Sequence, residues 1–267
     1  MAHVALVLAG PTTDYAQAIT EDVSGASGSN GQYTYTFKYQ IPQNATGTWT
    51  IGIEGTKTYV LNPGTVLQMN QNQGGVNKLI SFSIDGSLVQ PRRTVVSLQN
   101  CNNCHSSLSV HGGNRNQIEM CVLCHNPNAT DSALRPAANN PPQAIDFRTM
   151  VHKIHTGENL TSDYTVYGFG GSVNNFNGVT FPGDRRDCGT CHVNGSEELP
   201  LASNLLSVVT PRDYLTTTPP ETAACLGCHT TKSTASHALS NINALGESCD
   251  VCHGPDGQFS IDRVHAR

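Results

Sequence analysis

Ten cysteines and eleven histidines stand out in this 267-residue chain, and the cysteines fall into five copies of one pattern. In each copy two cysteines are separated by two residues and followed at once by a histidine. The copies are Cys101-Asn-Asn-Cys104-His105, Cys121-Val-Leu-Cys124-His125, Cys188-Gly-Thr-Cys191-His192, Cys225-Leu-Gly-Cys228-His229 and Cys249-Asp-Val-Cys252-His253, and they use every cysteine. This pattern is the attachment signature of haem c. The sequence therefore predicts five covalently bound haem c groups, each with a proximal histidine.

Paired cysteines at this spacing also occur in zinc sites, disulfides and thioredoxin-like redox centres. None of these alternatives explains a histidine directly after all five pairs. Haem attachment explains it, because the two thiols add to the two vinyl groups of one porphyrin while the adjoining histidine reaches the iron.

Six histidines lie outside the motifs, and a six-coordinate iron needs a second axial ligand. Five of the six lie in the motif-rich region, and we assign them as distal ligands: His111, His152, His155, His237 and His265. His3 is left as a surface residue. Methionine is the other common distal ligand. Met120 directly precedes Cys121 and Met150 lies on an apolar helix face, so both are expected to be packing residues.

Five irons with two histidines each leave no open position for a substrate. The expected function is therefore outer-sphere electron transfer at low potential rather than enzymatic catalysis, with terminal metal reduction left open. One alternative is a multihaem reductase with one open haem, such as a pentahaem nitrite reductase. Those enzymes typically have a Cys-x-x-Cys-Lys motif, which this sequence lacks. Another alternative is a subunit of a polymeric cytochrome wire that self-assembles through haem contacts.

Charged residues make up only 13% of the chain and the net charge is -5, so no basic patch predicts a nucleic-acid partner. Five bis-histidine haems would move the charge toward about -10. No stretch reaches the length of a membrane span, and none is expected. The first ten residues lack the features of a signal peptide. Because haem c is attached outside the cytoplasm, we expect either a removed leader or, preferably, a longer exported chain.

The distribution of cysteines predicts two domains, an all-β domain over residues 1–95 and a pentahaem domain over residues 96–267. Alternating apolar residues predict strands in the first domain at Val4–Leu8, Tyr33–Ile41, Trp49–Ile53, Thr58–Leu61, Leu79–Ile84 and Thr94–Leu98. Trp49, Ile51 and Ile53 are expected to point inward. Such strands favour an antiparallel sandwich or barrel.

The second domain reads mostly as loops and short helices, with too little apolar sequence to fold without haem. One helix is readable, capped by Asp146, running through Phe147, Met150, Val151 and Ile154, and ending near Gly157. His152 and His155 are three residues apart on it, so both can project from one side toward different irons.

The motifs and their surroundings resemble the outer-membrane multihaem cytochromes of the OmcA/MtrC type. The resemblance rests on the runs 101–115, 121–128, 151–157, 167–171, 181–184 and 262–267, and it covers nearly the whole chain. Members of that family are decahaem proteins with two repeats of a split β-barrel and a pentahaem domain. This chain is similar to one repeat, and the C-terminal repeat is the expected one.

The resemblance also implies partners and a location. Family members accept electrons from other multihaem cytochromes or a porin–cytochrome conduit and pass them to extracellular acceptors such as metal oxides and flavins. We therefore expect an exported protein at the cell surface or outer membrane, with a periplasmic location as the alternative. The family also uses the bis-histidine ligation that the count of histidines predicts.

Overall fold

A computed structural model describes residues 3–266, which form two compact units. The first unit comprises the chain up to Arg93 together with Leu98–Cys124, and the second comprises Thr94–Ser97 and the chain from His125 onward. The chain is mostly sheet and loop with few short helices, as the sequence predicted. No helix within residues 3–266 is long and apolar enough to cross a membrane.

The first unit is built on an antiparallel sheet. Its strands are β1 His3–Gly10, β2 Gln17–Asp22, β3 Ser27–Ser29, β4 Gln32–Thr34, β5 Thr48–Leu61, β6 Met69–Gly74 and β7 Lys78–Ser83. The main sheet has the order β2-β1-β5-β6, with β7 also paired to β5, while β3 and β4 form a separate hairpin. In the centre Ile51 lies opposite Leu8 of β1 and Ile80 of β7. Strand β5 therefore organises the unit.

The 14-residue strand β5 joins two strands that the sequence predicted separately, Trp49–Ile53 and Thr58–Leu61. Trp49 is buried as expected, but Ile53 is 41% exposed, so its inward placement was wrong. Glu54, the next residue, is buried instead. The reason is that Thr50, Gly52 and Glu54 lie on one face of β5 and a helix packs against that face, whereas Ile53 points to the opposite face.

The predicted strand Tyr33–Ile41 exists only at its start, within β4, and its later part is irregular. In this part a carboxylate, rather than a neighbouring strand, accepts the hydrogen bonds of the segment. Glu21 accepts hydrogen bonds from the Tyr35 hydroxyl at 2.6 Å and from the backbone N–H groups of Lys38 at 3.0 Å and Tyr39 at 2.9 Å. The backbone donors are satisfied without a ladder.

Two helices complete the first unit, α1 Leu98–His105 and α2 Ile118–Cys124. The predicted strand Thr94–Leu98 is not formed, because Val96 makes a single bridge to His192 and α1 begins at Leu98. Helix α2 packs on the sheet, with contacts to β1, β2 and β7. A Cβ atom on Gly52 would lie 2.6 Å from Met120 Sδ and 2.9 Å from Leu123 Cδ1. The absence of a side chain at Gly52 lets the helix approach.

The second unit contains short elements connected by long loops. Its helices are α3 Phe147–Thr156, α4 Pro220–Cys225, α5 Lys232–Ser240, α6 Asp250–His253 and α7 Ile261–Val264. Its strands form three small hairpins, β8 Thr165–Tyr167 with β9 Val173–Asn175, β10 Val208–Val209 with β11 Thr217–Thr218, and β12 Ile242–Asn243 with β13 Gly246–Glu247. Single 3₁₀ turns cover Ala137–Asn139, Gly157–Asn159, Phe169–Gly171 and Cys188–Thr190.

Helix α3 confirms the predicted helix and its cap, since Asp146 accepts a hydrogen bond from Thr149 N at 3.1 Å and Gly157 ends it with a φ of 48°. Its buried residues are Thr149, Lys153 and Thr156. The apolar residues Phe147, Met150, Val151 and Ile154 are only partly covered by protein.

Polar contacts hold the interior of the second unit. The side chains of Asp131 and Arg135 are almost fully buried and are joined by an ion pair of 2.8 Å. Asp131 also accepts from Gln143 N at 2.8 Å and Tyr167 N at 3.0 Å. The apolar cluster beside them contains only Ala144, Val208 and Ala223. This unit is organised by hydrogen bonds more than by apolar packing.

Candidate haem centres

The five cysteine motifs lie on single helical turns. The first lies in α1, the second at the end of α2, the third in a 3₁₀ turn, the fourth at the end of α4 and the fifth on α6. In three of them the histidine N–H donates to the carbonyl of the first cysteine, at 2.9 Å for His192, 2.9 Å for His229 and 2.8 Å for His253. None of the ten cysteines, all within residues 3–266, is paired in a disulfide. A helical turn brings residues i, i+3 and i+4 to one side, so both thiols and the imidazole can meet one porphyrin.

Three motif histidines face three of the other histidines. The ring centres are 6.0 Å apart for His192 and His152, 5.9 Å for His229 and His265, and 6.1 Å for His253 and His237. An imidazole nitrogen binds a transition metal at about 2.0 Å and lies about 1 Å from the ring centre, so two rings on opposite sides of one metal have centres about 6 Å apart. The centre-to-centre distances of the three pairs match this value, so each pair could hold one iron.

Backbone carbonyls orient several of the rings. Nδ1 donates to the carbonyl of Ile145 in His125 at 2.7 Å, of Val151 in His155 at 2.8 Å, of Phe259 in His253 at 2.9 Å and of Ile261 in His265 at 3.0 Å. In His192 the partner of Nδ1 is the Ser196 hydroxyl at 3.1 Å. A ring that donates through Nδ1 keeps Nε2 as the metal-binding nitrogen. These bonds select the tautomer that a haem ligand needs.

Burial keeps the pair of His152 and His192 neutral. Burial lowers the pKa of His152 to about 4 and also lowers the pKa of His192. The neutral ring is the form that binds a metal. A Cβ atom on Gly227 would lie 2.5 Å from His152 Cβ, so the glycine of the fourth motif is required for its backbone to pack on this ring.

A cavity of about 710 Å³ adjoins the pair of His229 and His265. The residues around it are Gly183, Asp184, Arg185, Arg186, Cys228, His229 and His265. Its volume lies within the usual range for cofactor sites. Two guanidinium groups, those of Arg185 and Arg186, line the cavity together with Cys228, and Arg186 also pairs with Asp184 at 2.7 Å. The donor set and the space fit a porphyrin with acidic substituents.

The other four assigned ligands divide between the units. His105 and His111 lie in the first unit, and His125 and His155 lie in the second. His111 sits in a tight turn with a φ of 55°, and burial lowers its pKa. The His155 ring packs edge-on against Phe181 at 5.7 Å. His3 lies on β1 within 3.4 Å of Asp22 and 3.6 Å of Glu54.

Residues 93–266 match the family model described as outer membrane cytochrome MtrC/MtrF-like, domains II/IV. This chain belongs to that family. The crystal structure of the outer-membrane decahaem cytochrome OmcA is similar, with a TM-score of 0.54 and 24% identity over 96% of this chain and 36% of that chain. The crystal structure of MtrC from Shewanella baltica OS185 has a TM-score of 0.56 and 18% identity over 95% and 45%. No curated protein matches in sequence.

These comparisons support the resemblance that the motifs indicated. The identities to the two solved structures are low, so those matches show the fold alone. This MtrC/MtrF-like chain spans less than half the length of either solved protein.

Two acidic groups near the attachment cysteines were missed from the sequence of this MtrC/MtrF-like chain. Glu221, Glu247 and Cys249 have ligand atoms within 4.8 Å of one another. Glu247 accepts hydrogen bonds from the backbone N–H groups of Glu221, at 2.9 Å, and Thr222 at the start of α4. Burial and the charge of Glu247 raise the pKa of Glu221. Because Cys249 belongs to the fifth motif, this group is part of the surroundings of that motif.

The second missed pair lies in the first unit, where Arg115 binds the buried carboxylate of Glu54. Glu54 stands in an apolar strand of the sequence and Arg115 in a loop 61 residues later, so no local pattern connects them. A charged residue in a strand that otherwise alternates apolar and small residues was the one available signal.

Proposed function

We propose that this chain is an electron-conducting module with five haem c groups, each attached through one cysteine motif and ligated by two histidines. The observation that carries the proposal is the set of three histidine pairs with ring centres 5.9–6.1 Å apart, each combining a motif histidine with a spare one. Bound haem c supplies one-electron chemistry, at low potential under bis-histidine ligation.

The chain's own residues would hold five such groups. The proximal ligands are His105, His125, His192, His229 and His253, and the paired distal ligands are His152, His265 and His237. His111 and His155 are left for the haems of His105 and His125. Both axial positions would then be protein ligands, so substrate binding at iron is not part of this proposal. The Nδ1 bonds to backbone carbonyls hold the rings in the ligating tautomer.

We further propose a role at the cell surface, in extracellular electron transfer. Membership of the MtrC/MtrF-like outer-membrane family supports this location. In this role a porin–cytochrome conduit or another multihaem cytochrome would be the donor, and metal oxides or flavins would be the acceptors. The antiparallel sheet of the first unit would be the split-barrel domain of one family repeat.

Intact mass and low-temperature EPR of the ferric holoprotein test the proposal. We expect the mass of five haems and low-spin signals only. A smaller haem count would contradict the attachment assignment, and a high-spin signal would instead indicate a reductase with one open iron. Electron microscopy of the same sample reports self-assembly, since filaments would indicate a wire subunit.

Substitution of His152 tests the ligand assignment. His152→Ala should convert one of five haems to a high-spin or differently ligated state, because His192 would lose its partner. His3→Ala is the matched control and should leave the spectrum unchanged. An unchanged spectrum in His152→Ala would remove this residue from the ligand set.

A further inference from the structure

The shortest ion pair described in the first unit joins the sheet to the loop between the first two cysteine motifs. Arg115 donates to Glu54 of β5 through Nε at 2.6 Å and Nη2 at 3.2 Å. The side chain of Glu54 is 3% exposed and that of Arg115 is 19% exposed. A bidentate pair in a site shielded from water has a fixed geometry and a stronger electric field than a surface pair.

Hydrogen bonds to Asn77, between β6 and β7, also hold the loop that carries Arg115. Val110 and Arg115 close a tight turn with backbone hydrogen bonds of 2.9 and 3.2 Å. Asn77, which follows β6, donates to the Asn114 carbonyl at 2.8 Å and accepts from Asn116 N at 2.9 Å. Arg115 is therefore held in place by backbone and side-chain bonds on both sides of the turn.

The second cysteine motif lies against the same strand as Glu54. Met120 and Leu123 of α2 pack over Gly52, two residues before Glu54 on the same face of β5. Cys121 and Cys124 lie on this helix. The sheet thus positions both the ion pair and the attachment thiols.

The ion pair lies beside the helix that carries these thiols. Gly52 and Glu54 are on the same face of β5, and α2 packs over Gly52 through Met120 and Leu123. Cys121 and Cys124 are on that helix. In keeping with this placement, burial raises the pKa of Cys121 and the charge of Arg115 opposes that change.

We propose that Arg115 raises the reduction potential of the haem attached at Cys121 and Cys124, and that Glu54 positions Arg115 and offsets part of its charge. This inference rests on the proposed haem attachment. A nearby cation stabilises the reduced haem, which carries one more electron, and a nearby anion destabilises it. Hydrogen bonds, charge and solvent exposure are the means by which a protein sets haem potentials. The β-sheet of the first unit would then tune one redox centre.

Potentiometric titration of holoprotein variants tests the sign of each charge. Arg115→Gln should shift about one fifth of the haem absorbance change to lower potential, since one of five haems is affected. Glu54→Gln should shift the same fraction to higher potential, and the double variant should lie between them. Arg115→Lys should stay nearer the parent. Lys57→Gln, an exposed charge change on the same strand, should have no effect because solvent screens it.

If Arg115 and Glu54 had only a structural role, their single variants would not shift the reduction potential in opposite directions. If both single variants shift in the same direction, or neither shifts while haem content is unchanged, the proposal is wrong. If Arg115→Gln fails to fold, Glu54→Gln still tests the proposal: a shift to higher potential supports it, and no shift or a shift to lower potential contradicts it.

A Cys121→Ala background assigns the shift to a particular haem. One vinyl group on the second haem stays unreacted there, and its conjugation moves the absorption band of that haem to longer wavelength. A shift on any other band would overturn the assignment. Intact mass separates this failure from failure of the proposed function, because a chain without five haems in the parent protein contradicts the attachment itself.

Discussion

The two units of this chain are stabilised in different ways. In the first, a sheet buries Val7, Leu8 and Trp49 and is closed by α2, whose Met120 and Leu123 are fully buried. In the second, the apolar cluster contains only three small residues, and a buried ion pair and hydrogen bonds organise the loops. The first unit has an apolar core of its own, whereas the cluster described in the second is small; both units leave large apolar side chains exposed, such as Ile80 in the first and Val251 in the second. The polypeptide thus supplies the core of the first unit, and we propose that haem attached at the motifs would supply much of the core of the second.

The largest expected effect comes from withholding haem. In chain produced without haem attachment, we expect the second unit to lose stable structure, because a segment of this composition buries too little apolar surface. The sheet of the first unit should keep slow amide exchange at β1, β5 and β7. Hydrogen-exchange mass spectrometry measures both, and equal protection of the two units would contradict the comparison.

Truncation of Trp49 should break the first unit selectively. Trp49 is 2% exposed and packs so closely on Gly10 that a Cβ atom there would lie 2.2 Å from the indole. We expect Trp49→Ala to lower the free energy of unfolding of this unit by about 3–5 kcal/mol. Tyr59→Ala, at a position 41% exposed, is the control and should cost far less. Urea unfolding followed by hydrogen exchange assigns the loss to the first unit.

Neutralising Asp131 should weaken the second unit. Asp131→Asn leaves the buried Arg135 without its counter-charge, and such a change costs about 3 kcal/mol. Asp256→Asn removes an exposed carboxylate from the same unit and should have little effect. The measurement is urea denaturation of the holoprotein by circular dichroism. Equal midpoints for the two variants would show that the polar interior is not a major source of stability.

The smallest expected effect is a pH dependence in the first unit. Asp85 accepts hydrogen bonds from Ser87, Gly47 and Ser83, and these bonds hold its pKa well below the ordinary value of 3.8. A lowered pKa means that the carboxylate stabilises the fold above its ordinary pKa and that this stabilisation is lost as the pH falls below it. Asp85→Asn should therefore flatten the dependence of first-unit stability on pH between about 5 and 2.5. An unchanged slope would contradict this role for Asp85.

Local patterns predicted those parts of the molecule whose cause is local. Alternation identified β1 and β7, and the Asp146 cap with the glycine stop identified α3. The segment after Tyr33 alternates equally well but is irregular, because Glu21 satisfies its backbone donors. Ile53 was misplaced because α2, distant in sequence, covers the opposite face of β5. In these cases a tertiary contact decided between two locally acceptable conformations.

The site residues also divide into those that local sequence predicts and those that depend on tertiary contacts. Cysteine spacing identifies the motifs because attachment chemistry is local, and the number of spare histidines predicted a distal set that stays a prediction. The pairing of His192 with His152, 40 residues earlier, depends on how loops cross in the second unit and has no trace in local sequence. The same holds for Glu54 with Arg115 and for Glu221 with Glu247.

The packing of Gly227 on His152 has a consequence for assembly. Gly227 belongs to the fourth motif, whereas His152 faces His192 of the third. The backbone of the fourth motif thus forms one side of the space that His152 occupies. Maturation of the two sites should be cooperative, because neither reaches its final geometry until the other turn has closed. Loading of the third and fourth motifs should therefore show few species in which one of the two carries haem and the other does not.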